Sequence, residues 1–362
     1  MKRLVLVGGG HSHLAVLKAL GDTPATGDVT LLSPHRHTIY SGMVPGLIAG
    51  HYRLEDCRVD LGGLAARAGI RVIEDSATRV DAARRVVITA SGERLAYDLL
   101  SLDVGSVAGE PAAGLEFALR VRPMETFLSG WDRLRESIEK GEARRVAVVG
   151  GGAAGVEVLL AMQHATAGAA VEFLLFSDAR VLSGHGRSVQ WRVERILASR
   201  RVAVRARRKV VAVFGGGVEL ERGERAEAQA TVWASGASAP SWLSASGLAT
   251  DPAGFVAVGD TLQSSSHPEI FAAGDCATFV GGRGTRSGVI AVRQGPVLAR
   301  NLRRALAGAA PERFREPERT LALISCGNRY AVASWDRFAL EGAWVWRWKD
   351  RIDRRFVERY RV

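Results

Sequence analysis

Cysteine is scarce in this chain: three residues in 362, Cys57, Cys276 and Cys326, far apart and in no CxxC or CxxxxC pair. That spacing excludes a local redox disulfide, and the odd count argues against a secreted disulfide scaffold. The same scattered cysteines make a metal site unexpected. Long apolar runs are missing too. No window reaches the roughly 18 uninterrupted apolar residues of a spanning helix. A strand begins at Arg3 and runs straight into glycines, which leaves no room for a leader peptide, and the expected location is the cytoplasm. Acid is short as well: 38 Asp and Glu against 49 Lys and Arg leave a net charge of +11. Such an excess attracts phosphates, nucleic acid or anionic lipid. Much of it is dispersed arginine, as at Arg200, Arg201, Arg205, Arg207 and Arg208.

What the chain does have is glycine in two similar places. Leu4-Val5-Leu6-Val7-Gly8-Gly9-Gly10-His11-Ser12-His13 opens it, and Val146-Ala147-Val148-Val149-Gly150-Gly151-Gly152-Ala153-Ala154-Gly155 lies near its middle. Each is an apolar strand, a glycine turn and a helix-like stretch, the fingerprint that seats a pyrophosphate on a helix N-terminus. In the first, Gly8 makes the tight turn and Gly10 lets the backbone approach the pyrophosphate. The third glycine is replaced by His13, so either the helix is displaced or His13 turns toward the phosphates. His11 is balanced between phosphate contact and helix-cap packing. The acidic residue expected about 20 positions on, to hold the ribose hydroxyls, is replaced by Ser33 at the end of the strand Val29–Leu32. The second fingerprint is complete, with Gly150, Gly152 and Gly155, and Glu157 follows on the first helical turn. Its second strand ends at Ser177, which lacks the charge that repels a 2′-phosphate, and Arg180 is close enough to pair with one. Asp178 argues the other way, so NADH and NADPH both stay open.

The alternation of strands and helices predicts an α/β fold with parallel sheets. Short strands at 72–73, 79–80 and 85–89 read as a β-meander. Tyr97-Asp98-Leu99-Leu100-Ser101-Leu102 reads as a strand closed by Gly105-Ser106, and 109–114 as a linker. Phe127, Trp131, Leu134 and Ile138 follow helical spacing across 124–140. After Asp260 the chain is expected to return to the first domain, through the strand 270–273, Gly274-Asp275 and a helix over 289–305.

Gly8-Gly9-Gly10, Tyr97-Asp98 with Gly105-Ser106, the turn 150–155, Ala234-Ser235-Gly236 and Phe271-Ala272-Ala273-Gly274-Asp275 stand in the order and spacing of the flavoproteins with two dinucleotide-binding domains. The chain resembles that family, which includes pyridine nucleotide-disulfide oxidoreductases, type II NADH:quinone dehydrogenases and sulfide:quinone reductases. A closer resemblance lies in His11-Ser12-His13-Leu14, Ser41-Gly42-Met43-Val44-Pro45-Gly46, Thr261-Leu262-Gln263-Ser264 and Trp346-Arg347-Trp348-Lys349-Asp350. These look like the flavoprotein module fused ahead of selenophosphate synthetase in some organisms. The resemblance implies two Rossmann-like domains: an FAD domain over 1–112 and 258–318, an inserted NAD(P)H domain over 113–257, and a C-terminal segment over 319–362. It implies FAD against Gly8, Gly10, Ser12, His13, Ser33, Ser41, Gly42, Val80, Gly105, Gly274, Asp275 and Gln294. NAD(P)H falls to Gly150, Gly152, Gly155, Ser177, Arg180 and Gly236. Asp275 should hold the ribityl chain, the loop 38–46 should approach the flavin ring, and Arg293 and Gln294 should lie near that ring. Glu157 is expected near the nicotinamide pocket.

In the same resemblance, type II dehydrogenases carry glutamines beside the quinone where this chain has Val289 and Arg293, which weighs against a quinone. Sulfide:quinone reductases use a late cysteine, here Cys326, paired with one near the second fingerprint. That partner is missing unless Cys57 substitutes, and Cys276 reads as a small buried residue. His35 and His37 read as loop contacts before a metal or proton relay. Trp344, Trp348, Ile352, Phe356 and Tyr360 recur every four residues among arginines and read as one face of a basic amphipathic helix. That face suits either the inner surface of an anionic membrane or packing on its own domain or a second copy of the chain. The expected function is an FAD-dependent oxidoreductase that takes hydride from NAD(P)H and passes electrons to a quinone-like or other small acceptor. The alternatives are sulfide or selenide oxidation through Cys326, and a recruited flavoprotein without nicotinamide turnover. A nucleic-acid partner is not expected.

Overall fold

A computed structural model describes residues 1–24, 26–109, 112–282 and 287–362; part of the expected linker, residues 110 and 111, lies outside the described residues. The opening run Arg3–Val7 buries four of its five residues and becomes the centre of a parallel sheet. That sheet has five strands in the order Ile270–Ala272, Leu99–Leu102, Arg3–Val7, Asp28–Ser33 and Arg71–Glu74. The second fingerprint repeats the plan. Its sheet runs Ala118–Arg120, Ala230–Trp233, Arg145–Val149, Glu172–Ser177 and Ala203–Ala206, again all parallel. Strands that parallel and that apolar need cover on both faces, and helices His11–Asp22 and Ala153–Ala165 supply part of it. The fold is therefore α/β with two Rossmann-like units. The edge strand of the first sheet comes from the returning chain, at 270–272, and that of the second from the chain as it enters, at 118–120.

Each unit carries a three-stranded antiparallel insert just before a strand that borders its fingerprint strand: Ala77–Asp81, Val86–Thr89 and Arg94–Ala96 ahead of Leu99–Leu102 in the first, and Val210–Phe214, Gly217–Leu220 and Arg225–Glu227 ahead of Ala230–Trp233 in the second. The expected meander is thus one strand late. Val72 and Ile73 pair in parallel with Leu31 and Leu32 and belong to the main sheet. The expected loop 38–46 is also largely regular: His37–Ile39 is a strand, Ser41–Met43 a 3₁₀ turn and Val44–Ile48 a short helix begun by Pro45.

The C-terminal segment forms an antiparallel sheet, Leu321–Ser325, Ala331–Trp335 and Phe338–Gly342, followed by the helix Ala343–Glu358. The expected single aromatic face of that helix does not exist. Phe356 and Tyr360 are 6% and 3% exposed, whereas Trp344, Trp348 and Ile352 are 47%, 39% and 42% exposed. A spacing of four overshoots a 3.6-residue turn by about 40° each time, so five such residues fan through about 160°. Among the described residues no helix is long and apolar enough to cross a membrane.

Candidate nucleotide-binding site

A cavity of about 680 Å³ opens at the carboxyl ends of the first sheet, beside Arg3–Val7 and Leu99–Leu102 where the strand order reverses. That is where open α/β sheets take ligands. Its walls include Gly8, Gly9, Gly10, Ser33, His35, His37 and Ser41, and Gly105 with Ser106. Asp103, Arg122, Trp242 and Asp275 complete it. Gly105 has φ +67°, a conformation that excludes most side chains where the chain must turn along the cavity wall. Arg122 reaches Asp275 at 3.2 Å and also donates to Ser106 Oγ. This guanidinium, absent from the sequence reading, fixes the carboxylate expected to face a ribityl chain.

The structure gathers Gly8, Gly10, Ser33, Ser41, Gly105 and Asp275 around this cavity and sets other expected contacts apart from it. Ser12 donates its Oγ–H to Ala291 O at 2.8 Å, inside the molecule. His13 does not turn toward the phosphates. Its Nδ1–H donates to Gly8 O at 2.7 Å and its Nε2 accepts from Ser101 Oγ at 2.8 Å. Burial pushes His13 down to about 4, so it is a neutral strut between the glycine turn and the neighbouring strand. Val80 is fully buried in the antiparallel insert, its N–H held by Ser246 Oγ at 2.9 Å, and the cavity meets Ser76 and Ala77 in its place. Gly274 and Gln294 stand behind the wall, where Gln294 Oε1 accepts the Gly274 N–H at 2.8 Å. Gly42 also lies behind the wall, and its carbonyl accepts from Lys349 Nζ at 2.6 Å. Arg293 is exposed and outside the cavity, because Ala291, Gln294 and Gly295 take the inward face of its helix.

Sequence reading missed Asp103. It takes three N–H groups from the first fingerprint: its carbonyl accepts from Gly10 at 3.1 Å, and its Oδ2 accepts from Ser12 at 2.7 Å and His13 at 2.9 Å. Most of the helix terminus that was expected to seat a pyrophosphate is thus already bonded to the protein. Burial pushes Asp103 up to about 7 against those hydrogen bonds.

The second fingerprint is laid out more openly. Gly150 packs against the backbone of Ala234, and a Cβ on Gly155 would stand 1.9 Å from the Gly150 carbonyl. A Cβ on Gly152 would meet nothing within 4 Å. Ser177 is buried, with Oγ 2.2 Å from where a Gly151 Cβ would be. Gly236 takes φ +68°, matching Gly105, and Arg180 is exposed beyond the strand end. Glu157 does not line the cavity. Its Oε1 accepts the Ser325 N–H at 2.8 Å, and burial, opposed by Lys349, pushes it up to about 7. Lys349 forms a buried pair with Asp353 at 2.7 Å.

All three cysteines are free and buried. Burial pushes the Cys326 thiol up to about 12, with Glu157 adding to it, so nothing here generates a thiolate nucleophile.

The family model for pyridine nucleotide-disulphide oxidoreductases matches residues 2–295. An NADH dehydrogenase-like protein of Mycobacterium tuberculosis is 31% identical over 298 residues, which cover 76% of this chain and 73% of that protein. Among solved structures, the sulfide:quinone oxidoreductase of Aquifex aeolicus superposes with a TM-score of 0.83 at 19% identity, covering 100% of this chain and 92% of the other. NDH2 from Plasmodium falciparum, in complex with NADH, gives 0.81 at 16% identity, covering 99% and 97%. These two likenesses concern the fold. The family's cofactors are FAD and NAD(P)H. This chain belongs to the pyridine nucleotide-disulphide oxidoreductase family.

Proposed function

We propose that the chain is an NAD(P)H-dependent oxidoreductase that holds FAD in the cavity of the first unit and the nicotinamide nucleotide against the second, and delivers electrons to a small acceptor. The observation that carries this reading is the repetition of one strand–glycine–helix unit, with the 680 Å³ cavity at the first. The residues fit a dinucleotide: Gly8–Gly10 bring bare backbone to the cavity wall beside the Asp103 carboxyl, Arg122 steadies Asp275, and Gly105 turns the wall aside. Bound FAD would supply two-electron chemistry, accepting hydride and passing electrons onward. The chain itself binds, orients and excludes water, with Leu61 and Ile39 lining the apolar side of the cavity. Anaerobic titration of the purified protein with NADH and with NADPH tests the reading. Loss of the flavin absorbance with either one is expected. Purification without flavin, or flavin that neither nucleotide reduces, would overturn it.

The acceptor we favour is lipid-soluble and quinone-like. Trp335, Phe338 and Leu340 on the C-terminal sheet are 57%, 61% and 51% exposed, and Trp344, Trp348 and Ile352 are exposed on the helix after it. Arg337, Arg347, Arg351 and Arg355 lie among them. Aromatic and cationic side chains together suit an anionic bilayer surface. Co-sedimentation with anionic vesicles should fall at least severalfold for Trp344→Glu/Trp348→Glu; undiminished binding counts against it. The alternative, sulfide or selenide as donor, rests on Cys326, and unchanged turnover with both in Cys326→Ser would remove that thiol from the reaction.

A further inference from the structure

The glycines of the first fingerprint surround one of the protein's own carboxyl groups. Asp103 follows the strand Leu99–Leu102 and is 2% exposed. A Cβ on Gly10 would stand 2.2 Å from Asp103 Oδ1, and one on Gly274 would stand 2.4 Å from the same oxygen. These two glycines therefore make room for Asp103 itself. Gly8 packs on the Asp103 backbone as Gly150 packs on that of Ala234, so Ala234 is the counterpart of Asp103 in the second unit. An acid occupies the helix terminus of one unit, and a methyl group stands at the same place in the other.

We propose that Asp103 links FAD binding to proton uptake: the chain holds FAD with the Asp103 carboxyl protonated, and one solvent proton is taken up as the diphosphate enters. The inference rests on the cavity being the FAD site. A diphosphate and an ionised Asp103 would place like charges at one buried helix terminus, where little solvent screens them. Protonation removes the repulsion without removing the cap. Oδ2 continues to accept from Ser12 and His13, while Oδ1, between Gly10 and Gly274, becomes a donor.

The groups facing Asp103 leave it the group that titrates. Asp275, on the turn after Ile270–Ala272, adds to its raised pKa, and the Arg122 guanidinium is directed at Asp275 instead. On the fingerprint helix, His13 is held neutral at about 4, and burial lowers His11 although Asp275 opposes it. The Cys276 thiol is pushed up to about 12, mainly by burial and next by Asp103. With Asp103 itself near 7, a further rise on binding places proton uptake at and above neutral pH.

The test is the affinity of the flavin-stripped full-length protein for FAD, read by flavin fluorescence at pH 6, 7, 8 and 8.5. Wild type should bind with nearly constant affinity below about pH 6.5 and weaken above 7, approaching the tenfold per pH unit that one linked proton allows. Asp103→Asn keeps an oxygen for both N–H groups and has no proton to gain; its affinity should stay within about twofold across the range. A pH indicator in weakly buffered solution at pH 8 should report close to one proton taken up per FAD by wild type, a measurement that needs no variant. Should Asp103→Asn fail to fold, Asp103→Ala installs the residue of the second unit. Wild-type affinity that ignores pH, no proton uptake, or a slope that survives in either variant would overturn the proposal. Absence of FAD binding at every pH would overturn the assignment of the cavity itself, an outcome distinct from pH-independent binding.

Discussion

The two fingerprints are built on one plan and use their glycines differently. In the second, Gly155 is there because the helix lies against the strand turn, 1.9 Å separating a would-be Cβ from the Gly150 carbonyl. In the first, the same place holds an imidazole that reaches past the turn and bonds Gly8 O and Ser101 Oγ. Close packing in one unit is replaced by buried hydrogen bonds in the other. The comparison teaches that the third glycine is one of two solutions to joining helix and strand. A polar residue can stand there provided both of its nitrogens find partners.

The sharpest way to break this comparison is Gly155→Ala. Its Cβ meets backbone, which cannot step aside, so the second unit should lose about 3 kcal/mol, the upper end of overpacking costs. Denaturant unfolding would read that loss, and reduction by NAD(P)H should fall with it. A variant that unfolds like wild type would mean the helix can shift, and the contrast with His13 would dissolve. His13→Gly imposes the second unit's residue on the first. It should destabilise by about 1–3 kcal/mol, because Ser101 Oγ and the Gly8 carbonyl are left buried without partners. A gain in melting temperature would show that close packing was available to both units. The smallest expected effect is at Arg180. Arg180→Glu should raise KM for NADPH about tenfold, or about 1.4 kcal/mol, and change KM for NADH little. Equal shifts for both would remove Arg180 from the 2′-phosphate.

Much of this was legible before any coordinates. Two apolar strands running into glycine turns announce two parallel sheets, and Phe127, Trp131, Leu134 and Ile138 are buried on their helix as the spacing predicts. Asp103 was not legible, because what defines it is its contact with Gly10, Ser12 and His13, about 90 residues away in sequence. Reading the strand for hydrophobicity ends at Leu102 and passes over the acid that follows. Laying Leu100-Ser101-Leu102-Asp103-Val104-Gly105 on Thr231-Val232-Trp233-Ala234-Ser235-Gly236 would have exposed the difference. The C-terminal aromatics failed for another reason: a repeat of four was treated as a helical face, and the error accumulated over sixteen residues. Arg293 was placed by resemblance, which carries position in the chain but not the direction of a side chain.

The segment 40–52, which backs the cavity wall at Ser41, leans on the helix Ala343–Glu358. Lys349 Nζ holds the Gly42 carbonyl at 2.6 Å, Tyr52 OH donates to Asp350 at 2.8 Å, and the Tyr40 ring stacks on Phe356 with centroids 4.2 Å apart. During synthesis the glycine turn at 8–10 is made long before residues 346–360, and until those follow the segment 40–52 has none of these three supports. The pocket opened by that turn is backed by the helix Ala343–Glu358. A nascent chain must therefore carry this segment unbacked while everything between is made, and loss of residues 343–362 would leave both sheets with the segment 40–52 unsupported.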